Sequence, residues 1–202
     1  MKDELKDFMD AIINDFDISI TTGYSGYLAS DMLYSAKNYV PAINETVAID
    51  FAHIHSYLGK RSLTIMKNAG LNESLLPIIN SCILGTNAGM VLWVVDDLEV
   101  EGSEICQDSR KLIELLGINP IKPNSWKDLY SFTREAYLEG ENRKLPQILI
   151  ISNELFKTKI IFTSQKLKNN CTSSKEICVL HPKTAKKFMD KFNKNSKIKS
   201  PL

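Results

Sequence analysis

Apolar residues recur at helical spacing through residues 3–16, where Leu5, Phe8, Met9, Ile12, Ile13 and Phe16 would share one face. The next stretch, Asp17 to Thr22, is a short β-branched run closed by Gly23, which predicts a strand and then a tight turn. The alternation continues with a helix over 28–38, a strand over Tyr39–Ile43 and a helix from Glu45 to Leu58. Val47, Phe51, Ile54 and Leu58 mark one face of that helix, and Gly59 is its stop. A strand over Ser62–Met66, a loop over 67–70 and a largely apolar helix over 72–84 follow. Residues 90–95 (Met-Val-Leu-Trp-Val-Val) are apolar without a break, as in a central parallel strand buried on both faces. An acidic loop from Asp96 to Glu101 leads to a helix over 105–116 with Gly117 as its stop. A brief strand over Ile118–Ile121, a helix over 126–140 capped by Asn124 or Ser125, and a strand over Gln147–Ser152 complete the pattern.

Strand and helix alternating with short connections predict an α/β fold, a mostly parallel sheet flanked by helices on both faces. The regular pattern fills residues 1–152; residues 153–202 form a small Lys-rich C-terminal appendage, with 159–163 and 177–180 as candidate strands and 183–193 as a helix. Charge sharpens the division. Residues 157–202 carry 12 Lys against two carboxylates, net +10, and residues 1–156 carry 13 basic and 22 acidic side chains, net −9. The Lys are dispersed and Arg is absent from the extension, which speaks against nucleic-acid binding. No apolar run approaches the roughly 20 residues of a membrane span. The charged first residues lack a signal-peptide core, and the expected location is the cytoplasm. Cys82, Cys106, Cys171 and Cys178 show no CxxC or finger spacing, so no metal or iron–sulfur cluster is expected on this chain alone.

In an open α/β sheet, ligands bind outside the carboxyl ends of the strands. Neither a GxGxxG nor a Walker A sequence is present. Gly23 and Gly26 permit close backbone approach, and Tyr24 and Tyr27 either frame a ligand or pack a turn. Glu45 stands at a strand-to-helix junction, where a carboxylate complements the helix dipole or serves a site at that edge. His53 and His55 are two positions apart, so on a helix they point in different directions and do not chelate one ion. Asp108, Ser109 and Arg110 suit an ion-pair network or a domain contact, and Trp93 suits the core.

Four motifs in order carry a resemblance. They are Gly23-Tyr24-Ser25-Gly26-Tyr27-Leu28, Asn44-Glu45-Thr46-Val47-Ala48, Met66-Lys67-Asn68-Ala69-Gly70-Leu71-Asn72, and Asp96-Asp97 followed by Gln107-Asp108-Ser109-Arg110. Over residues 15–152 the chain resembles the pyrimidine-binding, N-terminal domain of thiamine-diphosphate enzymes, and within them the large subunit of indolepyruvate:ferredoxin oxidoreductases. The resemblance implies the thiamine-diphosphate-binding fold. It also implies that Glu45 is the catalytic glutamate that hydrogen-bonds N1′ of the cofactor's aminopyrimidine and favours the tautomer that removes the thiazolium proton. Gly23, Tyr24, Ser25, Gly26, Asn44, Glu45, Asn68 and Gly70 would line the cofactor, and Tyr27, Lys67 and Asn72 the substrate. Tyr27 and Leu28 stand where that family has Thr and Pro, a departure that bears on the substrate.

The 202 residues hold no Gly-Asp-Gly followed by an Asn-containing stretch, which carries Mg2+ and diphosphate elsewhere in these enzymes. The resemblance therefore implies half of an active site. Thiamine diphosphate would be shared with a diphosphate-binding partner subunit that holds Mg2+, a 2-oxo acid would be the substrate, and ferredoxin would be reached through the partner. A non-oxidative decarboxylase of the sulfopyruvate or phosphonopyruvate type is the alternative, since its Asn-x-Gly-Leu loop is echoed by Asn68-Ala69-Gly70-Leu71. A scaffold that kept the fold without the chemistry is the other.

Overall fold

The computed structural model describes residues 2–97 and 105–173. Helix α1 (Lys2–Asp15) leads into strand β1 (Ile18–Gly23), helix α2 (Tyr27–Ser35) and a short strand β2 (Tyr39–Pro41). Helix α3 (Glu45–Tyr57), strand β3 (Arg61–Lys67), helices α4 (Asn68–Glu73) and α5 (Leu75–Leu84) and strand β4 (Met90–Asp96) follow. Helices α6 (Ser109–Leu115) and α7 (Trp126–Arg143) precede strand β5 (Gln147–Ser152), which ends in a 3-10 turn, Asn153–Lys157. Every strand pairing is parallel, and the order across the sheet is β2-β1-β3-β4-β5. The direction of winding reverses between β1 and β3, and crevices at the carboxyl edge beside such a reversal are where doubly wound sheets bind ligands.

The unbroken apolar run of β4 explains the two layers. Val91, Trp93 and Val95 enter one core cluster with α1, α2 and α7, while Met90, Leu92 and Val94 enter a second with α3, α5 and α6. Side chains alternate across a strand, so a strand covered on both sides must be apolar at every position. Trp93 is fully buried, as expected, with its indole N–H donated to Thr133 Oγ1 at 3.1 Å.

Several local expectations need correction. Residues 68–70 are not loop but the first turn of α4, and the helix expected over 72–84 is broken at Ser74. Pro77 supplies the reason: it has no N–H to bond the carbonyl of Glu73, so an unbroken helix would lose that bond. Restarting at Leu75 puts Pro77 in a first turn, where no N–H is required, and the Glu73 carbonyl accepts from Thr46 Oγ1 at 3.2 Å instead. The helix expected over 105–116 begins only at Ser109, where the Asp108 side chain accepts from the Arg110 amide. The strand expected over 118–121 shrinks to a single bridge between Ile121 and Leu149, since Pro120 donates nothing. The strand expected over 177–180 and the helix over 183–193 lie outside the described residues.

Packing shows no break at residue 152. Residues 158–173 form no strand; they run as a strap across the α1 and α7 layer and then along the amino ends of the strands. Phe162 stacks on Tyr130 at 5.4 Å and meets Phe8 edge-on at 5.1 Å. Asp15 accepts from Tyr130 at 2.6 Å and from Ser164, and its backbone carbonyl accepts from the Leu167 amide at 2.6 Å. The Tyr130 hydroxyl pKa is pushed up to about 12, first by burial and then by the Asp15 carboxylate. The anchor is Arg61, 1% exposed at the start of β3. Its guanidinium pairs with Glu141 through two bonds of 2.7 and 3.0 Å, and donates to the carbonyls of Phe16 and Leu167 at 2.9 Å and of Lys168 at 3.2 Å. A buried cation is tolerated when it is both paired and fully hydrogen-bonded.

Cys82 is buried, and burial pushes its thiol up to about 12. Cys171 is also free. Among the described residues no helix is long and apolar enough to cross a membrane, and no cluster of His, Cys, Asp and Glu could hold a metal ion.

Candidate active site

Three chain turns meet at the carboxyl edge beside the winding reversal. The first leaves β1. An added Cβ at Gly23 would lie 2.1 Å from the Ile65 carbonyl and 3.1 Å from Leu33, so only glycine lets β3 and α2 close on this turn. The Gly23 carbonyl accepts from the Ala42 amide at 3.2 Å, which draws the second turn, after β2, onto the first. Gly26 caps α2 in an extended conformation, and the aliphatic stem of Lys67 lies over it, 3.2 Å from where a Cβ would be. The third turn, after β3, is thereby fixed to the first.

Tyr27 opens α2 with a φ of 48°, in the left-handed region that a bulky side chain rarely adopts. Such a residue costs about 1–3 kcal/mol and persists where its surroundings over-determine it, often at functional sites. Its ring packs partly against the core, whereas Tyr24 stands about half exposed.

Glu45 lies where these turns converge. Asn44 caps α3, its side-chain oxygen accepting from the Val47 amide at 2.9 Å, so Glu45 is the first helical residue. Its side chain is 8% exposed, and its carboxylate has no hydrogen-bond or ion-pair partner among the described residues. It rests against Gly70 so closely that a Cβ there would sit 2.5 Å from Cγ, 2.6 Å from Oε1 and 2.9 Å from Cδ of Glu45. Helix α4 thus brings a bare backbone up to the carboxylate, and any other residue at 70 would displace it.

The two asparagines of α4 each hold a neighbouring stretch of chain. Asn68 is fully buried and donates to the Ile105 carbonyl at 2.9 Å, while its oxygen accepts from the Ala69 amide at 2.9 Å. Asn72, one turn on, exchanges two amide hydrogen bonds with Gln107, at 2.8 and 3.0 Å. Together they clamp residues 105–107 against the rim. Asn72 therefore holds a protein segment at the rim where a substrate contact was expected of it. Lys67 is half-buried and forms no ion pair among the described residues, which leaves its ammonium available to a ligand.

The acidic pair at the end of β4 faces inward. Asp96 is 5% exposed and accepts from the Ser109 hydroxyl at 2.5 Å and amide at 3.3 Å. Burial raises its carboxyl above the usual range against the pull of those bonds. Asp97 is fully buried, and Asn153 donates to it at 3.5 Å. Asp108 pairs with Arg110 at 2.5 Å, the ion-pair alternative of the two, and that guanidinium holds its carboxyl down to about 2. His53 and His55 do serve structure: one bonds the Gly85 carbonyl at 2.9 Å and the other the Ser19 hydroxyl at 2.7 Å.

The set therefore divides. Gly23, Gly26, Asn44, Glu45, Lys67, Asn68 and Gly70 come together on one rim, with Tyr24 and Ser25 on the turn between the two glycines. The Asp96–Ser109 pair and the Gln107 clamp were not assigned from sequence; Gln107 stood in a quoted motif, but its partner lies 35 positions away. A cavity of about 310 Å³ lies elsewhere, among Leu5, Tyr34, Trp126, Phe156 and Ile160 between α1, α2 and α7.

Comparison with known proteins finds likenesses in sequence and in fold. Over 108 residues the chain is 31% identical to the indolepyruvate oxidoreductase subunit IorA of Methanothermobacter thermautotrophicus, a stretch that is 54% of this chain and 18% of that one. IorA of Pyrococcus abyssi is likewise 31% identical over 108 residues, 54% of this chain and 16% of that one. The match thus spans less than a fifth of these relatives. The solved 2-oxoglutarate:ferredoxin oxidoreductase from Magnetococcus marinus superimposes with a TM-score of 0.65 at 15% identity, covering 95% of this chain and 43% of that one. The thiamine diphosphate-dependent 4-hydroxybenzoylformate decarboxylase of Rhodococcus jostii gives 0.64 at 14% identity, covering 81% and 32%. No protein-family model matches the chain. The fold is that of thiamine-diphosphate enzymes, and the likeness to the indolepyruvate oxidoreductase subunit holds over half of the chain.

Proposed function

We propose that this chain supplies the pyrimidine-activating half of a thiamine-diphosphate-dependent 2-oxo acid oxidoreductase of the indolepyruvate:ferredoxin kind. The observation that carries the reading is Glu45: a largely buried carboxylate, unpaired among the described residues, seated on Gly70 at the edge where such sheets bind ligands. A carboxyl group so placed suits a heterocyclic nitrogen with which it can share a proton. Gly70 keeps the room that this carboxylate occupies, and Gly26 keeps the room that the Lys67 stem occupies. Bound thiamine diphosphate would supply the electron sink for decarboxylation of the 2-oxo acid.

The chain's own part is positioning and proton control. Gly70 fixes the direction of the Glu45 carboxylate, and Asn44 holds the helix start that presents it. Lys67, stretched across Gly26, offers a cation for the substrate carboxylate. Asn68 and Asn72 hold residues 105–107 at the rim. The diphosphate and its Mg2+ would be held outside these 202 residues, which contain no Gly-Asp-Gly motif.

The test uses the tagged full-length chain, purified from its native host with whatever accompanies it. The complex should contain thiamine diphosphate and exchange the cofactor's C2 proton. Glu45→Gln should retain the cofactor yet slow exchange by roughly 10²–10⁴-fold, the usual weight of a positioned proton-transfer group. A complex without thiamine diphosphate, or a variant exchanging at the wild-type rate, refutes the reading. Reduction of a viologen dye that depends on both coenzyme A and a 2-oxo acid separates the oxidoreductase from a simple decarboxylase.

A further inference from the structure

The cavity between α1, α2 and α7 lies apart from the rim that carries Glu45, and no residue of that rim lines it. Its inner wall is apolar. Leu5 and Trp126 are buried there, and Phe156 and Ile160 are half-buried beside them. The wall is also fixed in place: the Trp126 indole N–H donates to the Leu155 carbonyl at 3.1 Å, and Phe156 meets the indole edge-on at 5.6 Å. Tyr34 adds a third ring from α2, with 69% of its surface in water. Protein interiors hold few voids larger than a water molecule, and a dry apolar cavity of about 150 Å³ takes a benzene ring. This one, at about 310 Å³, has room for a ring and a polar head of similar size.

The charges at the opening select the head. Lys2 and Lys6 stand one turn apart on α1 and so share a face. Asp31 lines the same opening from α2, and Asp3 from the first turn of α1. All four side chains are exposed, and none has an ion-pair partner among the described residues. Opposite charges that line one opening without closing on each other leave a gap for a ligand that carries both signs. A simple anion there would sit beside two carboxylates, and a simple cation beside two ammonium groups, each at a like-charge cost. A zwitterion meets a partner on either side.

The geometry points to a binding site for a free aromatic α-amino acid, its ring among Trp126, Phe156 and Tyr34, its carboxylate at Lys2 and Lys6, and its ammonium at Asp31. Trp126 and Phe156 stand at 78° to each other, so a flat ring that faces one presents its edge to the other. Both arrangements are favourable for aromatic pairs, and a branched aliphatic side chain gains neither. The mix of an apolar aromatic wall with a few convergent polar groups is the usual make-up of a small-molecule site, and the volume is at the compact end of the range of about 300–1,000 Å³. Binding here requires neither Glu45 nor thiamine diphosphate, so it stands or falls apart from the chemistry of the rim.

Fluorescence titration of the purified full-length chain tests this. The chain has two tryptophans, Trp93 is sealed in the core, and Trp126 lines the cavity. L-Phenylalanine, which is not excited at tryptophan wavelengths, should shift the emission with a Kd below about 1 mM. L-Leucine, 3-phenylpropionate and 2-phenylethylamine lack in turn the ring, the ammonium and the carboxylate, and each should bind about threefold to tenfold more weakly. Asp31→Asn, at an exposed position, should weaken L-phenylalanine about threefold without weakening 3-phenylpropionate. Lys2→Gln with Lys6→Gln should weaken L-phenylalanine without weakening 2-phenylethylamine. No shift at L-phenylalanine concentrations about tenfold above the expected Kd overturns the inference. So does an affinity for any of the three analogues equal to that for L-phenylalanine, or an affinity indifferent to both the Asp31 and the lysine changes.

Discussion

Replacing Gly70 by Ala adds one methyl group at the point where α4 touches Glu45. In an ordinary helix interior the change stabilises by roughly 0.5–1 kcal/mol. Here the new Cβ would stand 2.5 Å from Glu45 Cγ and 2.6 Å from Oε1. That is about 1 Å inside the separation at which carbon atoms rest, so the carboxylate must swing away. Overpacking of this kind costs about 1–3 kcal/mol, which roughly offsets the helical gain, and the net effect on stability should lie between zero and about 2 kcal/mol of loss. The effect on chemistry is larger, because a misplacement of about 1 Å costs on the order of 10²-fold. Gly70→Ala should therefore melt within a few degrees of wild type while C2-proton exchange in the co-purified complex falls about 100-fold. The double variant with Glu45→Gln should be no slower than Glu45→Gln alone, since both remove the same contact. Exchange at the wild-type rate in Gly70→Ala would refute the seat that Gly70 provides.

Two further predictions concern stability. Arg61→Met removes the cation and leaves Glu141 and three backbone carbonyls without their donor; breaking a buried pair from one side costs about 3–5 kcal/mol, read as a lower urea midpoint with little change in slope. Glu141→Gln should cost less than Arg61→Met, because the amide oxygen still accepts from the guanidinium. His53 predicts a pH dependence: burial lowers its pKa below 6.5, against the opposing effects of the Gly85 carbonyl and Asp50. Above pH 6.5 it is neutral both folded and unfolded, so its stabilising contribution is fully present. As pH falls below 6.5 the unfolded chain takes up the proton first, and stability declines until the folded pKa is reached. Burial also lowers His55, which acts in the same direction. Urea denaturation in steps down from pH 7 should show the decline, and His53→Gln should flatten it; an unaltered slope would discount the buried ring.

What could be read from the sequence follows the range of the interaction. Strand β4 was legible because burial on both faces demands apolar residues at every position, and residues 90–95 comply. The rim position of Glu45 was legible because a strand end and a helix cap are local signals. The seat beneath it was not, since Gly70 was read as loop; Pro77 carried the local signal that the following helix had to restart. The engagement of Asn72 by Gln107 and the network around Arg61 depend on residues 35 to 107 positions away, which no local pattern reports. The left-handed backbone at Tyr27 was unforeseen, because an aromatic residue predicts the opposite. The extension was set apart on charge, yet the apolar side chains of Ile160, Phe162 and Leu167 bind its described part to the core.

The Arg61 anchor also bears on how the chain reaches its native state. Its partners Glu141 and Leu167 follow it by 80 and 106 positions. During synthesis a guanidinium at the start of the sheet's middle strand must wait for nearly everything downstream before it can leave water without penalty. Closing loops of that size favours slow maturation. A nascent chain halted near residue 150 would therefore linger as a loosened, protease-sensitive species, and the last described turns would act as the latch that ends its exposure.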